Sequence, residues 1–227
     1  MSVPRVANTG ELSWIWLLFN GQCPDRQLLE SLLAQYSPSA SVYLAESDEH
    51  SCRASRWTRD PLKRLPSARL AVTAKQSLDT DFINAVNRLT STTAYPCHVR
   101  TPKPLPLAPK QRYAGTLQLC CFRRLSGLTD HQLATAWLDA HTGVALETQS
   151  TEGYRQHWVN THPGLAFDGI VEEYFPENAA NSVEHFFDAV GDREKLKHHI
   201  NAMTASTSRF IDLDQSEVIH LTDTRLY

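Results

Sequence analysis

The chain has 227 residues, of which 41% are hydrophobic and 21% charged, and its formal net charge is −3. This is ordinary globular composition, long enough to bury one large or two small cores, and it argues against a disordered chain. Lysine and arginine are scattered along the sequence, so no electrostatic footprint for nucleic acid or an anionic membrane is present. We therefore expect neither a nucleic acid nor a membrane as partner.

The first half of the chain has the pattern of a compact α+β unit. A continuous apolar, aromatic-rich run predicts a strand that is buried on both faces, and leucines at helical spacing predict an amphipathic helix after it. In chain order the predicted elements are a strand at 14–19, a helix from 24 to 36, strands at 41–44 and 68–74, a helix at 81–89 and a strand at 95–100. The order β-α-β-β-α-β is that of a ferredoxin-like unit.

A proline-rich segment follows, with four prolines in residues 101–110. Proline at this density is typical of a stiff, extended connector. We predict a first half at 1–100, a linker at 101–112 and a second half at 113–227.

The second half repeats the order of elements. Thr129 and Gln132 form a capping-box pattern, and the helix that they open carries Leu133, Trp137 and His141 four residues apart. The other predicted elements are strands at 116–122, 154–160, 169–175 and 217–222, and helices at 183–190 and 192–203. We predict an α+β fold in which two tandem ferredoxin-like halves pair sheet against sheet into an α+β barrel within one chain, with a pocket between the sheets.

The five cysteines predict neither a disulfide framework nor a zinc site, because their number is odd, two are adjacent and no CxxC spacing occurs. The first long apolar run has six residues, far short of the roughly 20 that cross a bilayer, and no signal-peptide pattern precedes it. Reduced thiols in a cytoplasmic protein are the expectation.

The second half resembles the EthD family in five segments, at 123–130, 137–141, 154–157, 167–172 and 209–216. The resemblance implies the dimeric α+β barrel superfamily, which includes polyketide cyclases, muconolactone isomerases, cofactor-free monooxygenases and haem-degrading or haem-peroxidase relatives. The family commonly has a proline two residues after its helix histidine, whereas Gly143 stands there in this chain. The family also dimerises to complete its barrel, whereas this chain supplies both halves; exposed strand edges still allow a homodimer.

His141 is the first candidate catalytic residue. It continues the apolar stripe of its helix, so its imidazole should face the sheet, where it can act as a general base or acid. A buried, hydrogen-bonded core histidine is the alternative. Trp137, one turn earlier, is expected to contact the substrate.

Residues of the two middle strands are the other candidates. Alternation places Tyr154 and Trp158 on one face of their strand and His157 on the other, and either face could line a pocket. Tyr154 and His157 are candidate catalytic residues, and Trp158 is a candidate for substrate binding.

Two carboxylates of the next predicted strand and the turn before it are further candidates for substrate binding. Asp168 orients an imidazole or, more simply, bonds the backbone of its Asp-Gly turn. Glu172 is either a pocket base or an exposed edge residue.

These residues favour a cofactor-independent acid/base enzyme of the cyclase, dehydratase or isomerase type. Its substrate would be a small, apolar, carbonyl-bearing molecule such as a polyketide, aromatic or terpenoid intermediate. The alternatives are a non-catalytic binding protein with the same pocket and a haem-binding protein that uses His141. No nucleotide-binding or serine-hydrolase motif occurs, and no metal site is predicted.

Overall fold

The computed structural model describes residues 11–36, 39–105, 107–160 and 165–227. The strands in these ranges are β1 (Leu12–Leu18), β2 (Ala40–Glu46), β3 (Ala68–Ala74), β4 (Tyr95–Lys103), β5 (Thr116–Arg124), β6 (Gly153–Val159), β7 (Gly169–Phe175) and β8 (Ile211–Arg225). The α-helices are α1 (Arg26–Tyr36), α2 (Glu49–Cys52), α3 (Thr80–Thr90), α4 (Asp130–Leu133), α5 (Thr142–Thr148), α6 (Val183–Phe186) and α7 (Arg193–Thr207). A π-helix, Ala134–His141, joins α4 to α5, and short 3₁₀ turns lie at Ser55–Trp57 and Glu177–Ala180. Within the described ranges, no helix has the length and apolar character that crossing a membrane requires.

The eight strands form one closed antiparallel barrel in the order β1-β3-β2-β8-β5-β7-β6-β4, and β4 returns to β1. Strands β1 to β4 are neighbours, as are β5 to β8, and in each set the order is fourth, first, third, second. The barrel closes where β2 pairs with β8 and where β4 pairs with β6. The predicted α+β barrel is confirmed; the derivation of its halves from tandem ferredoxin-like units stays a prediction.

Several element bounds differ from the predictions. Strand β4 continues through Lys103, so the first three residues of the predicted 101–112 linker belong to a strand that pairs with β6. Strand β8 begins at Ile211, six residues before the predicted start, because after a bulge it pairs again with the end of β5. The predicted segments 1–100, 101–112 and 113–227 include residues 1–10, 37–38, 106 and 161–164, which lie outside the described residues.

The packing has three layers, because alternate strand residues face opposite sides of the sheet. Apolar side chains such as Ile15, Leu117 and Ile170 fill part of the barrel interior. Helices α1 and α3 cover the outer face of the first half. The helix that runs from α4 through α5, together with the residues around α7, covers the outer face of the second half. Two separate environments therefore exist in the second half, one inside the barrel and one beneath the helices.

Candidate functional site

The helix at residues 130–148 places the predicted stripe against the sheet. Its capping box is formed, since the Thr129 side chain accepts from the Gln132 backbone and the Gln132 side chain accepts from the Thr129 backbone. Leu133, Trp137 and His141 are all buried, so the prediction that they face the sheet is confirmed. The middle of the helix is a π-helix that ends at His141, and such segments are frequent at functional sites.

A cavity of about 170 Å³ lies between this helix, the residues around α7 and the outer face of the second half. The predicted pocket lies between the sheets, whereas this cavity lies outside the barrel. Most of its lining side chains are apolar or uncharged, and the others are one carboxyl, one imidazole and one guanidinium group. The lining residues are Arg59, Gln118, Cys120, Trp137, His141, Gln149, Val171, Glu173, Met203, Thr207, Phe210, Ile211, Leu213, Ser216 and Val218. Leu213 is 45% exposed and the Arg59 side chain is 41% exposed, so the cavity meets solvent beside them.

His141 borders this cavity and is only 7% exposed. Its Nδ1 lies 2.9 Å from Ser206 Oγ on α7, and its ring meets the Phe210 ring edge-on at 5.1 Å between centroids. Burial disfavours the charged form and lowers the pKa of His141 to about 4. The imidazole is therefore neutral at physiological pH, and within the described residues its Nε2 has no hydrogen-bond partner.

Glu173 also borders the cavity and is a site residue that the sequence analysis missed. It is 7% exposed, and its Oε2 accepts a hydrogen bond of 3.3 Å from Gln118 Nε2. Its Oε1 is buried and has no hydrogen-bond partner among the described residues. Burial raises the pKa of Glu173 to about 7, against the smaller lowering effect of Gln118. Both protonation states are therefore populated near neutral pH.

Gln118 is itself held in place. Its Oε1 lies 3.2 Å from Nε2 of His220, and Nδ1 of the same ring lies 3.0 Å from Thr116 Oγ1. Burial lowers the pKa of His220 to about 4, so this ring is neutral as well. If His220 Nε2 carries the proton and donates to Gln118, the Gln118 amide presents its NH₂ group to Glu173. The chain of contacts fixes the orientation of the Glu173 carboxyl.

Glu172 lies on the opposite face of β7, inside the barrel, where it is completely buried. Its carboxylate is 2.8 Å from Arg69 Nε and 2.9 Å from Arg155 Nε. Asp223 is the second anion of this network, 3.3 Å from Arg69 and 3.8 Å from Arg155. The two arginines hold the pKa of Glu172 well below its usual range despite burial, so Glu172 is a poor base.

His157 belongs to the same interior network and not to the cavity of His141. Its Nδ1 lies 2.7 Å from Ser13 Oγ, and its Nε2 lies 3.3 Å from Glu172. Burial is the largest influence on His157 and lowers its pKa. His157 therefore does not border the cavity of His141, because alternation along β6 turns it into the barrel.

Tyr154 and Trp158 lie on the helix-covered face of β6, where Trp158 stacks on Trp137 at 6.0 Å between centroids. The Tyr154 hydroxyl accepts from Gln156 Nε2 at 3.0 Å. Both residues pack behind the cavity and are not among the residues that line it. Trp137, in contrast, does line the cavity.

Asp168 fixes the end of β5. It accepts from the backbone N–H of Arg124 at 3.1 Å and from Arg124 Nε at 3.0 Å. Neither of the predicted roles for Asp168, orienting an imidazole or bonding its own turn, appears in these contacts. The next residue must be glycine for steric reasons, since a Cβ on Gly169 would lie 2.4 Å from the Phe122 ring and 2.8 Å from Trp137.

Two solved structures resemble the whole fold. One is an anthrone oxidase-like protein, with a TM-score of 0.50 and 8% identity over 96% of this chain and 92% of that one. The other is a mutant chlorite dismutase from Candidatus Nitrospira defluvii, with a TM-score of 0.48 and 14% identity over the same shares. No protein-family model and no curated protein matches the sequence. At these identities the likeness concerns the fold alone, which in this chain is an eight-stranded antiparallel barrel.

Proposed function

We propose that the cavity beneath the second-half helices is the site of a cofactor-independent acid/base enzyme of the cyclase, dehydratase or isomerase type. The observation that carries this proposal is Glu173, a buried carboxyl group whose pKa of about 7 suits proton transfer at neutral pH. It lines the same mostly uncharged cavity as the neutral imidazole of His141. Buried groups with pKa values shifted in opposite directions are a common feature of acid/base sites.

Glu173 would remove the proton from a carbon next to a carbonyl group and return it later. Its Oε1 has no hydrogen-bond partner in the part of the chain that the structure describes, so this oxygen is available to the substrate. The Gln118 hydrogen bond to Oε2 would keep the carboxyl group in one orientation during both transfers. General acid–base catalysis of this kind typically contributes about 10²- to 10⁴-fold to the rate.

His141 would stabilise the oxygen of the enolate. When the Ser206 hydroxyl donates to Nδ1, the single proton of the neutral ring is on Nε2. An Nε2–H group can donate to a carbonyl oxygen that becomes negatively charged as Glu173 takes the proton. In this arrangement His141 is a hydrogen-bond donor, and Glu173 is the group that carries the proton.

The three reaction types share this first step. In a substrate with a double bond next to the enolate, return of the proton from Glu173 to the γ-carbon instead of the α-carbon is an isomerisation. Loss of a β-hydroxyl group as water, with the proton supplied by Glu173, is a dehydration. Attack of the enolate carbon on a second carbonyl group of the same molecule closes a ring, and the new alkoxide oxygen takes the proton back from Glu173. Each route conserves atoms and electrons without an external oxidant or reductant.

The cavity volume restricts the ligand. At about 170 Å³ it is smaller than the roughly 300–1,000 Å³ typical of sites for drug-sized ligands. It holds one ring or the reacting end of a longer polyketide, aromatic or terpenoid molecule. A porphyrin macrocycle is larger than such a ligand, so the residues around His141 do not fit haem in this conformation.

The ancestry of the site is part of the proposal. The resemblance of residues 113–227 to the EthD family supports a site in the second half, and the matching strand order of the two halves supports their origin as tandem ferredoxin-like repeats. In this view residues 1–100 form a divergent repeat, and the proline-containing segment after Lys103 connects the halves. Fold-level likeness by itself does not assign a reaction.

Deuterium exchange tests the proton-transfer step without knowledge of the natural substrate. The α-protons of 2-tetralone, an enolisable aromatic ketone, are followed by NMR in D₂O with wild type, Glu173→Gln and the exposed control Glu147→Gln. We expect exchange to fall about 10²-fold or more in Glu173→Gln and to be unchanged in the control. In wild type the rate should rise through pH 7, as the base form of Glu173 appears, and then level off.

A second pair of variants tests the imidazole. His141→Ala should slow exchange, whereas Tyr36→Phe, at the end of α1 in the first half, should not. If Glu173→Gln exchanges as fast as wild type, the assignment of the base is wrong. Binding of 2-tetralone without exchange in wild type favours the non-catalytic binding protein instead.

A further inference from the structure

A segment of the first half closes the cavity of the second half. The residues between α2 and β3 cross the barrel edge, and Arg59 forms an isolated antiparallel bridge with Val218 on β8. The Arg59 N–H donates to the Val218 carbonyl at 2.9 Å, and the reverse bond has the same length. These two backbone bonds fix the position of Arg59 at the cavity whatever its side chain does.

The Arg59 side chain lies at the cavity opening and is 41% exposed. Its Nε donates to the Leu213 carbonyl at 2.9 Å, and its Nη2 lies 3.3 Å from Asp214 Oδ1. Among the described hydrogen bonds none involves Nη1. Asp214 is 91% exposed, and ion pairs of this kind contribute little because solvent competes for both charges. The guanidinium group is therefore positioned but weakly paired.

Arg59 is the one cation among the residues that line this cavity within the described ranges. The wall behind it is apolar and aromatic, with Trp137, Met203 and Phe210. A planar guanidinium group binds a carboxylate through two parallel N–H donors, which Lys cannot reproduce. The opening thus combines an anion-binding group with a hydrophobic compartment for the rest of the ligand.

We propose that Arg59 is a ligand-recognition residue, and that the cavity accepts small aromatic or apolar carboxylates whose charged group binds Arg59 and whose apolar body lies against Trp137 and Phe210. This inference rests on the site named under the proposed function and specifies its substrate class, but it does not depend on catalysis there. A bound carboxylate displaces Asp214 from Arg59, an exchange of one exposed partner for another. The apolar contacts inside the cavity add the free energy that Asp214 does not provide.

Benzoate and its uncharged analogue benzamide are suitable probes, titrated at pH 6 against wild type, Arg59→Met and Asp214→Asn. Binding is measured from the shifts of the His141 ring resonances in NMR, which also report that the probe is in the cavity. We expect wild type to bind benzoate about tenfold or more tightly than benzamide, the effect of a charge-assisted hydrogen bond. Arg59→Met should lose this preference, and Asp214→Asn should increase it because the competing anion is gone.

The control is Arg56→Met, which removes another exposed cation of the same segment. Arg56 donates to the Asn181 carbonyl and is not among the residues that line the cavity. Equal affinity for the two probes in wild type, an undiminished preference in Arg59→Met, or no binding of either probe would each overturn the inference. If Arg59→Met does not fold, Asp214→Asn still decides the question, because this variant would contradict the proposal if it bound benzoate more weakly than wild type. The deuterium-exchange result with Glu173→Gln is independent, so either proposal can fail while the other stands.

Discussion

The raised pKa of Glu173 has a consequence for stability that can be measured without any ligand. An acid whose pKa is higher in the folded than in the unfolded state makes the fold less stable as the pH rises through the range in which only the unfolded state is ionised. For Glu173 this window extends from its ordinary value of 4.5 to about 7. Below the window both states are protonated and no stability is lost, and above it the full loss is present.

The magnitude follows from the width of the window. Each pH unit between the two pKa values changes the free energy of unfolding by about 1.4 kcal/mol. From 4.5 to about 7 the loss is therefore on the order of 3 kcal/mol. Replacement of Glu173 by glutamine keeps the shape and removes the titration, so the variant should not show this loss. Relative to wild type, Glu173→Gln should gain about 3 kcal/mol between pH 4.5 and pH 8.

Other groups at the cavity do not obscure the effect. His141 stays neutral above its pKa of about 4, and Cys120 stays a thiol because burial raises its pKa to about 12. Burial also raises the pKa of Tyr154, which therefore remains protonated. Between pH 5 and pH 8 the cavity changes its charge chiefly at Glu173.

The assay is urea unfolding, followed by far-UV circular dichroism, at several pH values from 4.5 to 8. The informative quantity is the difference in unfolding free energy between Glu173→Gln and wild type, because titrations elsewhere cancel in it. Glu147→Gln, on the exposed side of α5, should give a difference that is constant with pH. A constant difference for Glu173→Gln as well would refute the raised pKa, and with it the argument that Glu173 is a proton carrier.

Three further outcomes are expected. Glu172→Gln leaves the interior arginines short of an anion and should cost ~3–5 kcal/mol in unfolding free energy. Glu177→Gln, in an exposed pair, should cost at most about 1 kcal/mol. Similar losses in the two variants would contradict the interior network. Gln118→Leu removes the hydrogen bond that favours the ionised carboxyl, so the Glu173 midpoint in a carboxyl NMR titration should move to higher pH, and an unchanged midpoint would count against their contact. Gly169→Ala forces a methyl group into two aromatic rings and should lower the melting temperature measurably in a calorimetric scan; a neutral effect would mean that these rings move freely.

Local patterns in the sequence were sufficient for the elements and for the direction of one helix face. Strand alternation and helical spacing depend only on backbone geometry, which is the same in any fold. They predicted that Trp137 and His141 face the sheet, and they predicted the split between Tyr154 and His157 on opposite faces of β6. The pairing of the strands into a barrel followed from the repeated order of elements.

Alternation could not decide which face of a strand turns toward the helices. Glu172 and Glu173 are neighbours in β7, so their side chains point to opposite faces of the sheet. Glu172 joins the ion network inside the barrel, and Glu173 borders the cavity of His141. Glu172 was the predicted pocket carboxyl group, but it pairs with Arg69 on β3, about a hundred residues earlier in the chain. Knowledge of which face of β7 turns toward the helices would have identified Glu173 as the carboxyl group beneath them.

The sequence by itself determined the strands, the helices and the inward stripe of the helix at 130–148, because each depends on interactions within a few residues. The tertiary structure alone decided the protonation of Glu173 and His141, since burial and neighbouring charges set a pKa and both come from distant parts of the chain. It also decided the position of Arg59, which two backbone hydrogen bonds to β8 hold at a cavity built by the other half. No local pattern encodes such a contact, because it exists only once the barrel has closed.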